Sequence, residues 1–554
     1  FGSVGNTPVT NDTLKNCVVI NGVNTSSAVV ISDAAVVGNA GLFSNITIQN
    51  NDVQRAFVGV FATGGTTPQG GSNLVYTQNN VDTSGANAIR NVGLYMQGVN
   101  GATVSQNIVG NFSNTEGEND TGIWLATGTG NATVSGNTVN NLGMTLTTGF
   151  APFGIRESSG LTASGNSITS NTVTNLSTTG STGLRGIAVS GSGVTIQSNK
   201  IQGIINNNTG TFGSFGIDVT AGNDDVIKNN FVSDINHNMT GGAAFSPDFG
   251  VVGIRLGAGT GHKVYYNSVN LFGPHTGTAT TSLLSAAFSI STTAQTGLDV
   301  RDNIFANNIT GGTTSIAHVS VFLPAGGTSA MNLTWNNNAY YFGTDGARQG
   351  VGQAGTTAGT NFFTPLAALA AYSSTLSPAA TNDNASIASS GAVPYVSNTD
   401  LHITAGTLPI GAATPIASVT TDIDNDPRSA TAPTIGADEL VADLSITKTD
   451  GVKYKAAVDR ATTLIKDPTK GYQIAKYGDD KKPGSQPQGD NATIVINENN
   501  KTIYVPASSV SGPDRRTIIV NCNNCKVVIV GETGNNVVDE RKIIVNGHDD
   551  KIVL

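Results

Sequence analysis

Charged residues are scarce in this chain, at 12% of 554 residues, and the net charge is −9. An acidic chain lacks the excess of positive charge on which nucleic-acid binding depends, so nucleic acid is excluded as a partner. The sequence also has no uninterrupted run of 18 apolar residues, which excludes a membrane-spanning helix. The composition therefore indicates a polar, weakly charged protein that neither binds nucleic acid nor crosses a membrane with a helix.

Cysteine is almost absent, with three residues, and this excludes a disulfide framework. Cys17 lies in an apolar run and is predicted to belong to the core. Cys522 and Cys525 form a CxxC pair. Three interpretations of that pair stay open: two small corner residues, a local disulfide or redox pair, and a metal pair, for which only His548 is near in sequence.

Good helix formers are few, and leucine is too sparse for a leucine-rich repeat. The chain is built mainly of Thr, Ser, Asn, Gly, Val and Ile, which excludes helical repeats. One phrase recurs nine times: Asn, any residue, then an apolar residue. Its asparagines are 28 to 37 residues apart and stand at Asn51, Asn79, Asn107, Asn137, Asn171, Asn199, Asn230, Asn267 and Asn303.

A second phrase, Gly followed by an apolar residue, runs out of phase with the first. It occurs at Gly93, Gly122, Gly154, Gly186, Gly216 and Gly253. Two interleaved phrases with one period indicate a single structural unit that is repeated. Short alternating runs separated by Gly, Asn and Ser turns predict an all-β fold, a right-handed parallel β-helix, in which successive coils are about 4.8 Å apart.

The nine asparagines are predicted to be structural. Each is expected at a corner of the coil, where Asn tolerates left-handed backbone and its amide bonds the Asn of the next coil. The alternative, contact with a ligand, is disfavoured because the same residue recurs at every coil.

Composition and pattern divide the chain into four parts. Residues 1–345 are the predicted β-helix, and 346–440 an irregular cap that contains a helix at 364–374. Residues 441–492 are a linker with a strand and an amphipathic helix. Residues 493–554 contain three more strand pairs with corners at Asn497, Asn521 and Asn546. The boundary near 440 is also a change of charge, because 16 of the 28 Lys and Arg residues follow it.

The segment TDIDNDPRSATAPTIGADEL at 421–440 resembles the D-x-D-G-D-P-R…IGADE ending of secreted bacterial parallel β-helix proteins. The resemblance covers residues 1–440 and implies export to the extracellular space or cell surface, with adhesin-like roles. Asn425 replaces the usual Gly and also tolerates left-handed backbone. The helix and strands after 452 resemble the opening cap of a pectate-lyase-like β-helix.

Enzymes that act on polysaccharides use the same fold, so a catalytic site has to be considered. The candidate residues are Asp218, Asp224, Asp225, Arg255 and His262, with Asp218 and Arg255 at corresponding places in adjacent coils. They match the DD…GHG…RIK pattern of polygalacturonases incompletely, because the gap is too long and no RIK follows. The sequence therefore favours a protein that is not an enzyme.

Calcium is the one cofactor that the sequence suggests. Asp422, Asp424 and Asp426 alternate as in a calcium loop, although Pro427 follows where a Gly turn is expected. The acidic loop with Glu116, Glu118 and Asp120 is a second candidate. A solvated turn is the alternative at both places.

Two functions follow from these patterns. The first is an extracellular or cell-surface structural protein that assembles with itself, head to tail, into a fibre. That hypothesis depends on strand patterns at both chain ends that lack a cap. The alternative is a β-helix that binds or degrades polysaccharide, for which Trp124 and Trp335 are the aromatic candidates.

Overall fold

The computed structural model describes most of residues 1–440 and seven short strands beyond them. The gaps within the first part are 113–115, 148, 241–244, 276–282, 313–315 and 405–408. Contacts divide the chain into two units, Phe1–Asp443 and Leu444–Leu554, which are described separately.

The first unit is a parallel β-solenoid of about ten turns, with three long sheets along its axis. Sheet A contains thirteen strands: Gly2–Ser3, Val29–Asp33, Val58–Thr63, Val92–Gln97, Thr121–Leu125, Phe153–Glu157, Leu184–Val189, Ser214–Val219, Val251–Leu256, Leu283–Ile290, Ile316–Leu323, Gln349–Ala354 and Phe362–Phe363. Sheet B contains eleven: Thr13–Lys15, Thr47–Gln49, Val75–Thr77, Thr103–Ser105, Thr133–Ser135, Ser167–Thr169, Thr195–Gln197, Val226–Lys228, Lys263–Tyr265, Asp299–Arg301 and Thr334–Asn336.

Sheet C completes each coil. Its strands are Val18–Ile20, Asp52–Gln54, Asn80–Val81, Ile108–Gly110, Thr138–Asn140, Thr172–Thr178, Lys200–Asn206, Phe231–His237, Ser268–Leu271, Ile304–Asn307, Ala339–Phe342 and Ile387–Ser390, with Gly143–Met144 paired beside Thr172–Thr178. A short fourth sheet joins Val9–Thr10, Phe43–Ser44, Gly71–Ser72 and Val99–Asn100. Two 3-10 turns lie at Gly85–Asn87 and Ser329–Met331.

Alternation along each short strand creates the core. In Thr103–Ser105, Val104 is buried between its register partners Tyr76 and Val134, while Thr103 faces outward. β-Branched side chains suit this half-buried, pleated position. The predicted parallel β-helix is confirmed by strands that pair in parallel from coil to coil.

The asparagines of the repeated phrase form one buried column between sheets B and C. The Asn79 side-chain NH₂ donates to Asn107 Oδ1 at 3.0 Å, and the backbone N–H of Asn79 donates to the same oxygen at 2.9 Å. The same NH₂ also donates to the carbonyl of Ile48. This asparagine ladder runs through Asn51, Asn79, Asn107, Asn137, Asn171, Asn199, Asn230, Asn267, Asn303 and Asn338.

The left-handed backbone was expected on the ladder asparagines, and this expectation is wrong. The residue before each of them adopts it, as at Gln78 with φ 58° and Gln106 with φ 56°. The preceding residue turns the corner, so the following Asn is free to direct its amide inward along the column. Tertiary stacking here outweighs the local preference for Asn or Gly at positive φ.

Cys17 stands at the first position of this column, where its backbone N–H donates to Asn51 Oδ1. Its thiol is exposed, so the prediction that it belongs to the core is wrong. The apolar run around it forms Val18–Ile20, an edge strand of sheet C in which Val18 and Ile20 are exposed as well.

The predicted helix is present at Leu366–Ser374, directly after Pro365. It lies over the last coil, with Leu369 fully buried. Beside it, Phe362–Phe363 pairs antiparallel with Gln349–Ala354 and ends sheet A. The helix and the antiparallel strand together cover this end of the first unit, because an antiparallel edge interrupts the parallel stacking.

The motif at 421–440 fixes the last segment to the side of the solenoid. Asp422 Oδ1 accepts from the backbone N–H groups of Asp424 and Asp426. Arg428 is buried, lies 4.0 Å from the ring centre of Tyr266 and donates to Asn229 and Glu439. We call these contacts the Arg428 clamp.

Asn425 in this motif has φ 71°, as its left-handed tolerance predicted.

The described strands of the second unit form two parallel sheets. One contains Gln473–Ile474, Thr502–Val505, Lys526–Ile529 and Lys551–Val553, and the other contains Thr493–Ile496, Thr517–Val520 and Lys542–Val545. The predicted helix at 453–467 and the residues Cys522, Cys525, Asn497, Asn521 and Asn546 lie outside the described residues. Among the described residues, no helix has the length and apolar character needed to cross a bilayer.

Candidate ligand-binding face

The outer surface of sheet A carries large aromatic and basic side chains over the middle coils. Parallel register places equivalent residues directly above one another, so two columns form on this surface. One column runs Phe61, Tyr95, Trp124, Arg156, Ala188, Asp218 and Arg255, and the other runs Thr121, Phe153, Arg185 and Phe215. We call this surface the arginine face.

Three aromatic rings begin the first column. Phe61 and Tyr95 stack with ring centres 4.9 Å apart, and Tyr95 meets Trp124 edge to face at 5.2 Å. The indole N–H of Trp124 donates to Ser158 at 2.8 Å, which fixes the ring orientation. Because Phe61 and Tyr95 stack along the solenoid axis, the edges of these two rings meet solvent, whereas the ring of Trp124 is perpendicular to that of Tyr95.

Arg156 continues the column and is held by aromatic rings. Its guanidinium lies 4.3 Å from the ring centre of Trp124 and 4.9 Å from that of Phe153, both within cation–π range. Burial, and after it the nearby charge of Arg185, lower the pKa of Arg156. Among the described residues this guanidinium makes no ion pair and no hydrogen bond. Five N–H donors thus point to a half-buried surface without an acceptor.

The arginines above it are paired. Arg185 donates to Asp218 Oδ2 at 2.6 Å, and Arg255 donates to Asp218 Oδ1 at 2.8 Å. Arg255 also pairs with Asp248. The carboxylate of Asp218 is fully buried between two guanidinium groups, so its lone pairs are occupied and it is not available as a general base.

The face has a definite upper limit. From the coil of Phe215 onward, the outer surface of sheet A is covered: Phe215 is buried, and two coils further Phe245 packs on Leu284 and Ala286. The open part therefore extends from Phe61 to Arg185. Within it, Arg156 lies near the covered end, one coil before Arg185.

The other sequence candidates lie elsewhere. Asp225 and His262 are fully buried in the corner that precedes sheet B, with His262 Nδ1 3.3 Å from Asp225 Oδ2. The Nε2 atom of His262 lies 3.1 Å from the carbonyl oxygen of Ala258. Asp224 is next to them at an exposed corner with φ 58°. The structure thus brings Asp218 to Arg255, and Asp225 to His262, but does not bring the two pairs together.

The calcium candidates are placed as follows. Both carboxylate oxygens of Asp422 accept hydrogen bonds from backbone N–H groups, Oδ1 from Asp424 and Oδ2 from Glu439. Asp424 instead meets His402, whose Nε2 lies 2.7 Å from Asp424 Oδ2 and whose Nδ1 contacts Asp400. Asp438 is close enough to join His402 and Asp424 as a third ligand group. Calcium binding at this loop stays a prediction.

The acidic loop directly precedes Thr121–Leu125, a strand of sheet A. Glu118 pairs with Arg90 at 2.5 Å, and Asp120 is buried. Burial, followed by the charges of Glu118 and Glu116, raises the pKa of Asp120 well above its usual range. Calcium binding at this acidic loop also stays a prediction.

Arg156 was not among the candidate residues of the sequence analysis. The signal that could have found it is the residue after Gly-Ile, which changes from Trp124 to Arg156 to Ala188 to Asp218 while the Gly-Ile pair itself repeats. Trp335, the other tryptophan, is fully buried and packs on Phe288 and Phe305.

No family model matches this sequence, and no curated protein matches it. A solved structure described as the PL6 family alginate lyase AlyGC is a distant neighbour, with 10% sequence identity and a TM-score of 0.21. The alignment covers 98% of this chain and 73% of that one.

Proposed function

We propose that this protein binds an acidic polysaccharide on the arginine face and does not cleave it. The observation that carries the proposal is Arg156, a guanidinium held between two aromatic rings with no acceptor among the described residues. Arginine pairs with carboxylate through two parallel hydrogen bonds, and a uronate or sulfate group supplies such an acceptor.

Neighbouring groups support this assignment. Arg185 adds positive charge beside Arg156, and its own partner Asp218 is buried beneath the surface. Tyr95 and Trp124, both partly exposed, add apolar surface next to the charge. A binding role is preferred to cleavage because no free carboxylate or histidine stands beside Arg156 in the described part of the chain.

The test is calorimetric titration with hexamers of galacturonate and of mannuronate. The variant Arg156→Gln should weaken binding by about tenfold to a hundredfold, since hydrogen bonds between charged groups contribute roughly 1.5–3 kcal/mol. Arg348→Gln is the matched control, because Arg348 pairs with Asp345 on an exposed loop. Equal affinity in Arg156→Gln and the parent protein would contradict the proposal.

Trp124 gives an independent optical readout. The chain has two tryptophans, and Trp335 is fully buried, so a change of emission on adding acidic hexamer reports on Trp124. We expect the change to be lost in Arg156→Gln and to weaken with salt, because exposed charges are screened.

An extracellular or cell-surface location agrees with this function and is part of the proposal. The head-to-tail fibre stays a prediction. Light scattering over a hundredfold range of concentration tests it, and particles that remain monomeric would contradict it.

A further inference from the structure

A second surface, on the flank formed by sheet C, has different chemistry. In successive coils one residue of this flank takes left-handed backbone: Asn111, Asn141, Asn175, Gly203 and Asp234, with φ between 51° and 67°. In strands such as Thr172–Thr178 the chain continues beyond this residue in β conformation. The chain therefore bends within three of these strands, and directly after Ile108–Gly110 and Thr138–Asn140 in the other two coils. The stacked bends make the flank concave.

The concave flank holds a groove of about 740 Å³ that crosses these five coils. Its lining includes the five residues of the bend and the partly exposed Ile205, with the buried Phe112, Leu142 and Leu176 beneath it. We call it the amide groove. A further cavity of about 630 Å³ is lined in part by Asn270. Asn270 pairs in register with Ser233 of the preceding coil.

The groove offers polar groups that lack protein partners. The side chains of Asn175 and Asp234 make no hydrogen bond or ion pair among the described residues. Burial raises the pKa of Asp234, which indicates that its carboxyl is partly withdrawn from water. Primary amides carry both donors and acceptors, and a carboxylate accepts two hydrogen bonds, so both suit hydroxyl groups.

Charge restricts the choice of ligand. The lining contains the carboxylate of Asp234 and neither Lys nor Arg. A polyanion would be repelled there, whereas a neutral chain of hydroxyl groups would not. This is opposite in sign to the arginine face.

Geometry restricts it further. The groove repeats with the coils, about every 4.8 Å along the axis, so it matches an extended polymer that lies parallel to the axis. A peptide strand in that direction would cross the coils, whose backbone groups are already paired with one another. We infer that the amide groove binds a linear neutral polysaccharide, with Asp234 and Asn175 accepting and donating to its hydroxyl groups.

The experiment uses three neutral probes, cellohexaose, xylohexaose and laminarihexaose, in calorimetric titration of the full chain. The variant Gly143→Phe fills the groove. An added Cβ at Gly143 meets only Ser177 Oγ, at 3.6 Å, so the fold tolerates the side chain. The control is Gly346→Phe, on a loop where an added Cβ has no neighbour within 4 Å.

At least one hexasaccharide should bind, and Gly143→Phe should weaken it more than tenfold while Gly346→Phe leaves it unchanged. Asp234→Asn removes the charge and keeps a residue type that tolerates left-handed backbone. We expect this variant to bind the hexasaccharide roughly threefold to tenfold more weakly. Circular dichroism of each variant checks that the fold is retained.

Three results would overturn the inference. They are the absence of binding by all three probes at millimolar concentration, full affinity in Gly143→Phe, and loss of neutral binding in Arg156→Gln with retention in Gly143→Phe. Because the acidic hexamers are measured in the same variants, failure at the amide groove and failure at the arginine face are separate outcomes.

Discussion

The asparagine ladder and the arginine face share one register but obey different rules. Inside, the same residue recurs in ten coils, and each amide is satisfied by the next. Outside, the column changes from Tyr95 to Trp124 to Arg156 to Ala188, and one guanidinium is left without a protein acceptor among the described residues. A residue type that repeats in every coil thus indicates a structural requirement. A position where the residue type changes from coil to coil indicates a surface that a ligand can contact.

The physical basis of the difference is water. A buried amide that loses its partner has no substitute, which forces one residue type along the whole column. A side chain on the outer surface can be satisfied by solvent, so the sequence there is free to vary. The following predictions test this contrast, in order of decreasing effect.

The largest effect is expected inside. Asn171→Ala removes the acceptor of the Asn137 backbone and side-chain N–H groups, at 3.0 and 2.9 Å, and the donor to Val134. Several buried groups are left unpaired, so the free energy of unfolding should fall by about 3–5 kcal/mol. Urea denaturation measures it. Asn140→Ala, on a strand one coil below, should change it by less than about 1 kcal/mol.

The Arg428 clamp comes next. Arg428→Met leaves Glu439 buried without its charged partner, and breaking a buried pair on one side costs roughly 3 kcal/mol. Proteolysis between 391 and 440 should accelerate, because the segment loses its anchor on Asn229. Arg348→Met, at an exposed pair, serves as the control and should have an effect of less than about 1 kcal/mol.

Asp302 should make stability depend on pH. Burial raises the pKa of this carboxyl to about 7, and its Oδ2 atom has no partner among the described residues. A raised folded pKa contributes stability that is present below about pH 4 and is lost as pH rises through about 7. Asp302→Asn should remove a loss on the order of 2–3 kcal/mol between pH 5 and pH 8. Thermal unfolding of both proteins across that range is the measurement, and parallel profiles would contradict the assignment.

The smallest effect on stability is expected at the arginine face. Arg156→Gln should change the free energy of unfolding by less than about 1 kcal/mol. The variant removes the cation–π attraction to Trp124, but it also removes the cost of holding a half-buried charge, and the two effects offset each other. A large loss of stability in this variant would show that Arg156 is a structural residue, and would end the contrast with the ladder.

Much of the fold could be predicted from the sequence because periodicity is a local property. Asparagines about 30 residues apart, alternating Thr and Val, and Pro365 before an Ala-rich run each predict their element without knowledge of the rest. Cys17 was misplaced because the apolar run around it forms an edge strand, and a strand's place in its sheet is not visible in a local pattern. The left-handed corners were misplaced by one residue because Gln and Ser rarely adopt this conformation except under tertiary constraint.

The candidate sites were harder, because a site depends on which columns face outward and what covers them. Asp218 and Asp225 are seven residues apart in sequence, yet one is enclosed by two arginines on the outer side of sheet A and the other lies beside His262 in the corner before sheet B. Spacing alone cannot separate these two environments.

The sequence by itself determined that the chain coils in parallel, with one polar residue type stacked along its interior. The reason is that the Asn and Gly phrases recur with a similar spacing in every repeat. Only the tertiary structure decided that Arg156 stands without an acceptor among the described residues while Asp218 is enclosed by two arginines. Those facts depend on contacts between residues more than 30 positions apart, and no local pattern carries them.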